Sequence, residues 1–177
     1  MKKQVFNPYL PNYEYIPDGE PRIFNDRLYI FGSHDRFGGR SFCLNDYVTW
    51  SAPIEDLSDW MYHGIIFKKE DDPSNDRDCP LFAPDVIEGK DHRYYLYCAL
   101  KGTGNIAVAT ADQPHGRYHF LDHVKYPDAT LLGQRQNDPY PFDPAIFIDD
   151  DGKIFLYLGF SPDPSWTFLE KQFKTKP

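Results

Sequence analysis

The chain has 177 residues, a formal net charge of −8 at neutral pH, and an apolar content of 41% that is sufficient to fill a core. The negative charge argues against a nucleic acid partner, and no apolar stretch approaches the ~20 residues of a membrane span. Sixteen Pro, thirteen Tyr and fourteen Phe predict short strands joined by many turns. We therefore expect an all-β globular protein with neither a nucleic acid nor a membrane partner.

The amino-terminal residues and the cysteines predict the cellular compartment of the protein and its redox state. The first residues, MKKQVF, are followed by Asn7 and Pro8 before any apolar signal-peptide core, which predicts a cytoplasmic protein. Cys43, Cys79 and Cys98 are odd in number and widely spaced, so we expect reduced thiols packed as small hydrophobic side chains. We expect no metal and no cofactor, since the acidic run at 149–152 is more typical of a hairpin turn than of a calcium loop.

Three similar stretches follow Pro21, Pro84 and Pro144. Each proline precedes a pair of β-favouring residues, then a polar turn, then a second β-rich run. The second runs are LYIF at 28–31, YYLY at 94–97 and IFLY at 154–157. This order predicts three β-hairpins. The second strand of each is apolar on both faces, which is typical of a strand covered on both sides by stacked sheets.

The segments between the hairpins also repeat. Residues 41–67 and 105–124 each predict a strand, a linker with Asp and Pro, and another strand, so the period is a four-stranded unit of about 60 residues. Tandem four-stranded units favour a β-propeller. We predict one partial propeller domain over 1–177, of two and a half to three blades. The first blade covers about 18–70, the second about 80–130, and the start of the third 140–177.

Acidic residues beside these prolines favour a functional interpretation. Proline is tolerated at the first residue of a strand, where the ladder does not need its N–H group. A carboxylate on an innermost strand is costly to bury, so the strand geometry alone does not account for it. We therefore expect the acidic residues that begin successive blades to meet at the centre of the propeller.

Five motifs, taken in order, resemble glycoside hydrolase family 43. They are NPYLP at 7–11, GEPRIFNDRLYIFGSHD at 19–35, FAPDV at 82–86, IAVATADQPHGRY at 106–118, and FDPAIFIDDDGKIFLYLGF at 142–160. Members of this family are five-bladed β-propellers that cleave glycosidic bonds, mostly in arabinose- and xylose-containing polysaccharides. The resemblance therefore implies an incomplete propeller of the five-bladed type and a saccharide substrate.

The resemblance also implies catalytic residues. Such enzymes resemble inverting hydrolases with a base Asp on the first blade, an Asp on the third blade that tunes pKa, and a later acid Glu. Asp143 matches the third-blade Asp. The base position falls on Glu20, where the family usually shows Asp, and the extra methylene moves the carboxylate by about 1.5 Å. Asp18, two residues earlier and on the same side of an extended strand, is the alternative base.

The remaining site residues follow from the same motifs. Asp85 matches a pocket-lining acidic position, Phe82 stands where the family more often shows a sugar-stacking Trp, and Asp35 ends the first long motif. The sequence has no Glu-Gly-Pro, which is the typical setting of the acid. Glu170 is the only Glu after Asp143, and its surroundings do not resemble that motif. The resemblance thus implies a truncated chain that lacks the general acid.

Three functions remain open at this point. The first is an inverting glycosidase, truncated, that acts on arabinose- or xylose-containing saccharides. The second is a catalytically inactive carbohydrate-binding or scaffold remnant of such an enzyme. The third is a non-enzymatic propeller used for protein interaction. An incomplete propeller also leaves sheet surfaces open, so we expect the chain to aggregate, to assemble with copies of itself, or to recruit the missing half of the propeller.

Overall fold

The computed structural model describes residues 7–75, 79–100 and 104–161. These residues form ten β-strands in three antiparallel sheets, with a single turn of 3-10 helix at Lys69–Asp71. Within the described ranges, no helix has both the length and the apolar character to cross a membrane. The all-β prediction is confirmed.

The first two sheets each contain four strands in sequence order, as the repeat predicts. The first sheet consists of β1 (Glu20–Phe24), β2 (Arg27–Phe31), β3 (Tyr47–Pro53) and β4 (Met61–Phe67). The second consists of β5 (Asp85–Glu88), β6 (Tyr94–Ala99), β7 (Ile106–Ala111) and β8 (His119–His123). The tight turn between β1 and β2 has positive φ at Asn25 (49°) and Asp26 (60°), the pair of left-handed residues that a type I′ hairpin requires.

The third sheet consists of β9 (Tyr140–Ile148) and β10 (Ile154–Ser161). One sheet thus falls within each of the predicted ranges of about 18–70, 80–130 and 140–177. Residues 162–177 of the last range, including Glu170, lie outside the described residues. The chain therefore shows two four-stranded sheets and the first hairpin of another.

The main core lies between the first and second sheets. Phe24 at the end of β1 meets Tyr94 of β6 edge to face, with ring centroids 5.0 Å apart. Both second strands supply fully buried side chains, as their apolar runs predict. The largest fully buried side chains of this core are Phe31, Tyr47, Ile66, Phe67, Leu81, Leu96, Leu100 and Tyr118. Stacking of one sheet on the next is the arrangement that buries both faces of a propeller blade.

The third hairpin is covered on one face. Leu158 of β10 and Ile146 of β9 turn toward the second sheet. On the opposite face, Phe147, Phe155 and Tyr157 remain 52%, 40% and 59% exposed. β10 therefore differs from the predicted two-sided strand, because no described residue covers the outer face of the third sheet.

Candidate active site

Asp18 lies on the segment that leads into β1. Its φ is 53°, and β1 begins two residues later at Glu20. The expectation that Asp18 and Glu20 share one side of an extended strand is therefore wrong. The absence of a side chain at Gly32, just after β2, allows the segment before Asp18 to pack against the Gly32 backbone. A Cβ at Gly32 would stand 2.5 Å from Ile16 Cγ2 and 2.8 Å from the Pro17 carbonyl oxygen. A side chain at position 32 would push the Asp18 segment away from the first sheet.

A buried carboxylate also holds this segment. Glu14, whose side chain is 8% exposed, accepts a hydrogen bond from Trp50 Nε1 at 2.7 Å. Its other oxygen lies 2.9 Å from His34 Nε2. Next along the chain, the Asp35 N–H donates to the Tyr15 carbonyl oxygen at 2.9 Å. Asp18 thus sits at the end of a segment that is tied to the first sheet at several points.

Asp143 projects from a β-bulge in β9. Leu158 pairs with Pro144 and Gly159 pairs with Phe142, so Asp143 has no partner in the ladder. Its φ is 44°, an uncommon value for a residue with a side chain. Bulges of this kind re-aim side chains and are frequent beside active sites. Partial burial raises the pKa of the Asp143 carboxyl, and the nearby Asp18 charge raises it further.

Asp35 and Cys43 complete this group of side chains. The Cys43 N–H donates to Asp35 Oδ1 at 2.6 Å, and Cys43 has a φ of 58°. Burial raises the pKa of the Cys43 thiol, and the charges of Asp35, Asp18 and Asp143 raise it further. The charges of three predicted site residues therefore act on one buried thiol. Three positive-φ residues within one cluster also favour a functional role, since such backbone strain concentrates at functional sites.

Glu20 faces a different set of groups. It is the first residue of β1, its side chain is 43% exposed, and its carboxylate lies 3.6 Å from the Arg22 guanidinium. Of the two alternative bases, Asp18 is the one whose charge raises the pKa of Asp143.

Asp85 is buried, with a side-chain exposure of 1%. It accepts hydrogen bonds from both Nε and a terminal nitrogen of Arg22, at 2.9 and 2.5 Å. It also accepts from the backbone N–H groups of Val86 and Ile146, each at 2.6 Å. Four donors occupy both carboxylate oxygens, so no accessible lone pair is left for a sugar hydroxyl in this arrangement. The substrate-binding role of Asp85 stays a prediction.

Phe82 lies under two other aromatic rings. It is 8% exposed, its ring meets that of Phe142 edge to face at 5.2 Å, and it stacks on Phe42 at 5.9 Å. Phe42 is 55% exposed, so it offers a more open ring than Phe82 for contact with a sugar. Phe42, Cys43 and Phe142 were not predicted from the sequence as site residues. Phe142 is signalled by its position beside Asp143, whereas Phe42 and Cys43 lie on a loop without a motif.

The chain is similar to several curated glycosidases. It is 55% identical over 163 residues to a xylosidase/arabinosidase of Thermoclostridium stercorarium, which covers 92% of this chain and 34% of that protein. It is 33% identical over 156 residues to xylosidase/arabinosidase 43A of Humicola insolens, covering 82% of this chain and 43% of that protein. The chain thus spans less than half the length of these relatives.

A solved structure and a family model agree with these similarities. CoXyl43, a GH43 beta-xylosidase/alpha-arabinofuranosidase from a compost microbial metagenome, is 27% identical with a TM-score of 0.63, over 86% of this chain and 44% of that one. The predicted fold is confirmed: the sheets described above are part of a five-bladed β-propeller. The sequence model of glycosyl hydrolases family 43 matches residues 20–167. The chain therefore belongs to glycosyl hydrolases family 43.

Proposed function

We propose that this chain carries the general base and the pKa-tuning carboxyl of an inverting glycosidase that acts on xylose- or arabinose-containing saccharides. The observation that carries the proposal is the bulge from which Asp143 projects, where the charge of Asp18 raises the pKa of the Asp143 carboxyl. Asp35, which accepts from the Cys43 N–H, and the exposed ring of Phe42 next to Cys43 in sequence also support it. The xylosidase and arabinosidase names of the relatives support this substrate class.

The chemistry assigns a separate task to each carboxyl. In inversion, one carboxylate removes a proton from water as that water attacks the sugar, and a protonated carboxyl donates to the leaving oxygen on the other face. Asp18 is exposed and therefore accessible to water. Asp143 orients the sugar and acts electrostatically on the base. The acid is a third carboxyl, for which the described residues after Asp143 contain no Glu.

A substrate with an activated leaving group tests general base catalysis separately from general acid catalysis. A nitrophenolate leaves without protonation, so we expect the chain to hydrolyse 4-nitrophenyl xyloside or arabinofuranoside but not xylobiose. Protonation of a poor leaving group contributes a factor of about 100 to 10,000. Nitrophenolate release is followed by absorbance, and binding of xylotriose is followed by calorimetry. Binding without any release favours the carbohydrate-binding alternative, and absence of both contradicts the two saccharide functions.

We also propose that the chain associates with a second copy of itself through the outer face of the third sheet. Phe147, Phe155 and Tyr157 form an exposed apolar surface there. Sedimentation velocity should show a dimer whose share rises with concentration, and Phe147→Ser with Phe155→Ser should abolish it. Ile65→Ser, an exposed apolar position in the first sheet, is the matched control. A wild-type chain that stays monomeric up to high concentration contradicts this proposal.

A further inference from the structure

The Asp85 carboxylate joins the first strands of all three sheets. It belongs to β5, its ion-pair partner Arg22 belongs to β1, and the Ile146 N–H that it accepts belongs to β9. The Arg22 guanidinium also donates to the Ile146 carbonyl oxygen at 3.3 Å. Each of these contacts spans more than 60 residues of sequence. One buried ion pair therefore connects strands that share no backbone ladder with one another.

Asp18 and Asp143, the two carboxyls of the candidate site, are within four residues in sequence of the residues that make these contacts. Asp18 precedes Arg22 of β1 by four residues, and Asp143 precedes Ile146 by three residues on β9. The segment that carries Asp18 is tied to the first sheet, and Asp143 is fixed by the bulge in β9. A shift of β9 relative to β1 therefore changes the separation of the two carboxyls directly.

We propose that Arg22 and Asp85 are positioning residues, which hold β1 and β9 at the separation that brings Asp18 and Asp143 together. This inference rests on the proposed function of that pair. A positioning role suits Asp85 better than substrate binding, because both of its carboxylate oxygens already accept hydrogen bonds from donors within the protein. A displacement of about 1 Å at a catalytic group can cost two orders of magnitude in rate, so such a connection matters for the chemistry.

Two conservative substitutions weaken the connection and keep most of the side chain. Asp85→Asn replaces one acceptor oxygen by an NH₂ donor. That NH₂ faces one Arg22 nitrogen and the N–H of either Val86 or Ile146, so two donors lose their acceptor. Arg22→Lys keeps the charge but lacks the planar fork that binds both carboxylate oxygens. Asp122→Asn is the matched control, because Asp122 pairs with Lys125 at an exposed position of β8, away from β1 and β9.

The experiment is a titration of the Asp143 carboxyl by carbon-13 NMR, with and without Asp18→Asn in each background. The quantity compared is the drop in the Asp143 pKa that Asp18→Asn causes, which measures the coupling of the two carboxyls. We expect this drop in the Asp85→Asn and Arg22→Lys backgrounds to be about half or less of its wild-type size. In the Asp122→Asn background we expect the wild-type value.

A merely structural ion pair would lower stability but leave the coupling in the folded protein unchanged. Undiminished coupling in folded Asp85→Asn overturns the inference, and Arg22→Lys decides the question if Asp85→Asn does not fold. Absence of coupling in the wild-type background also overturns it. Failure of the proposed function is detected separately, since the titration needs no substrate and the glycoside assays need no Asp143 pKa.

Discussion

Arg22→Ala is expected to lower the free energy of unfolding by about 3–5 kcal/mol, the usual cost of removing one partner from a buried ion pair. The substitution leaves the Asp85 carboxylate, which is 1% exposed in the wild type, without its counter-charge. Two backbone N–H groups continue to bind that carboxylate, but they supply no net charge. The loss is read from urea denaturation as a lower midpoint with an unchanged slope.

An exposed ion pair provides the control for Arg22→Ala. Lys125→Ala removes the partner of Asp122, whose side chain is 55% exposed, and we expect a cost below about 1 kcal/mol because solvent screens such pairs. A cost for Arg22→Ala that is no larger than that for Lys125→Ala contradicts the assignment of Asp85 as a buried connection between sheets.

The second large effect separates the two candidate bases. Asp18→Asn is expected to lower kcat/KM for 4-nitrophenyl xyloside by a factor of about 100 to 10,000, the usual contribution of general base catalysis. Glu20→Gln is expected to change kcat/KM much less, since its carboxylate lies 3.6 Å from the Arg22 guanidinium and its charge is not among the causes that raise the pKa of Asp143. The reverse order of the two losses would transfer the base role to Glu20.

Stability measurements show whether a loss of activity reflects unfolding. The folded-state pKa of Asp143 is raised above its ordinary value of 3.8, so the folded protein binds this proton more tightly than the unfolded chain does. Stability is therefore lost as the pH rises from about 3.8 through the folded-state pKa. Asp143→Asn removes the ionisable group and with it this pH-dependent loss of stability. We therefore expect the Asp143→Asn variant to be at least as stable as the wild type at neutral pH, while its activity falls.

The hairpins were predictable from sequence because their signals are local. A proline, a β-favouring pair and a polar turn stand within about fifteen residues of one another, and each set forms two adjacent strands. The Asn25-Asp26 turn is a direct example, since these two residue types tolerate the positive φ of a type I′ turn. Stacking of the sheets then follows from second strands that are apolar on both faces.

The arrangement of the site depends on contacts that a local pattern does not contain. Alignment on Pro21 places Glu20 at the base position. The positive φ of Asp18 and the close approach of its segment to Gly32 are not part of that motif, so the alignment does not report where the Asp18 carboxylate lies. The ion pair of Asp85 with Arg22 joins residues 63 positions apart in different sheets. The geometry of this ion pair depends on how the sheets pack, and the residue spacing within a single motif does not predict that packing.

The Asp143 carboxyl itself provides the most direct measurement of the central claim, that Asp18 and Asp143 meet across the first and third sheets. Carbon-13 NMR titration of Asp143 should give a pKa above 3.8 in the wild type. That pKa should fall in Asp18→Asn and stay at the wild-type value in Glu20→Gln. A wild-type pKa at or below the ordinary value, or one that responds to Glu20→Gln and not to Asp18→Asn, would contradict the account.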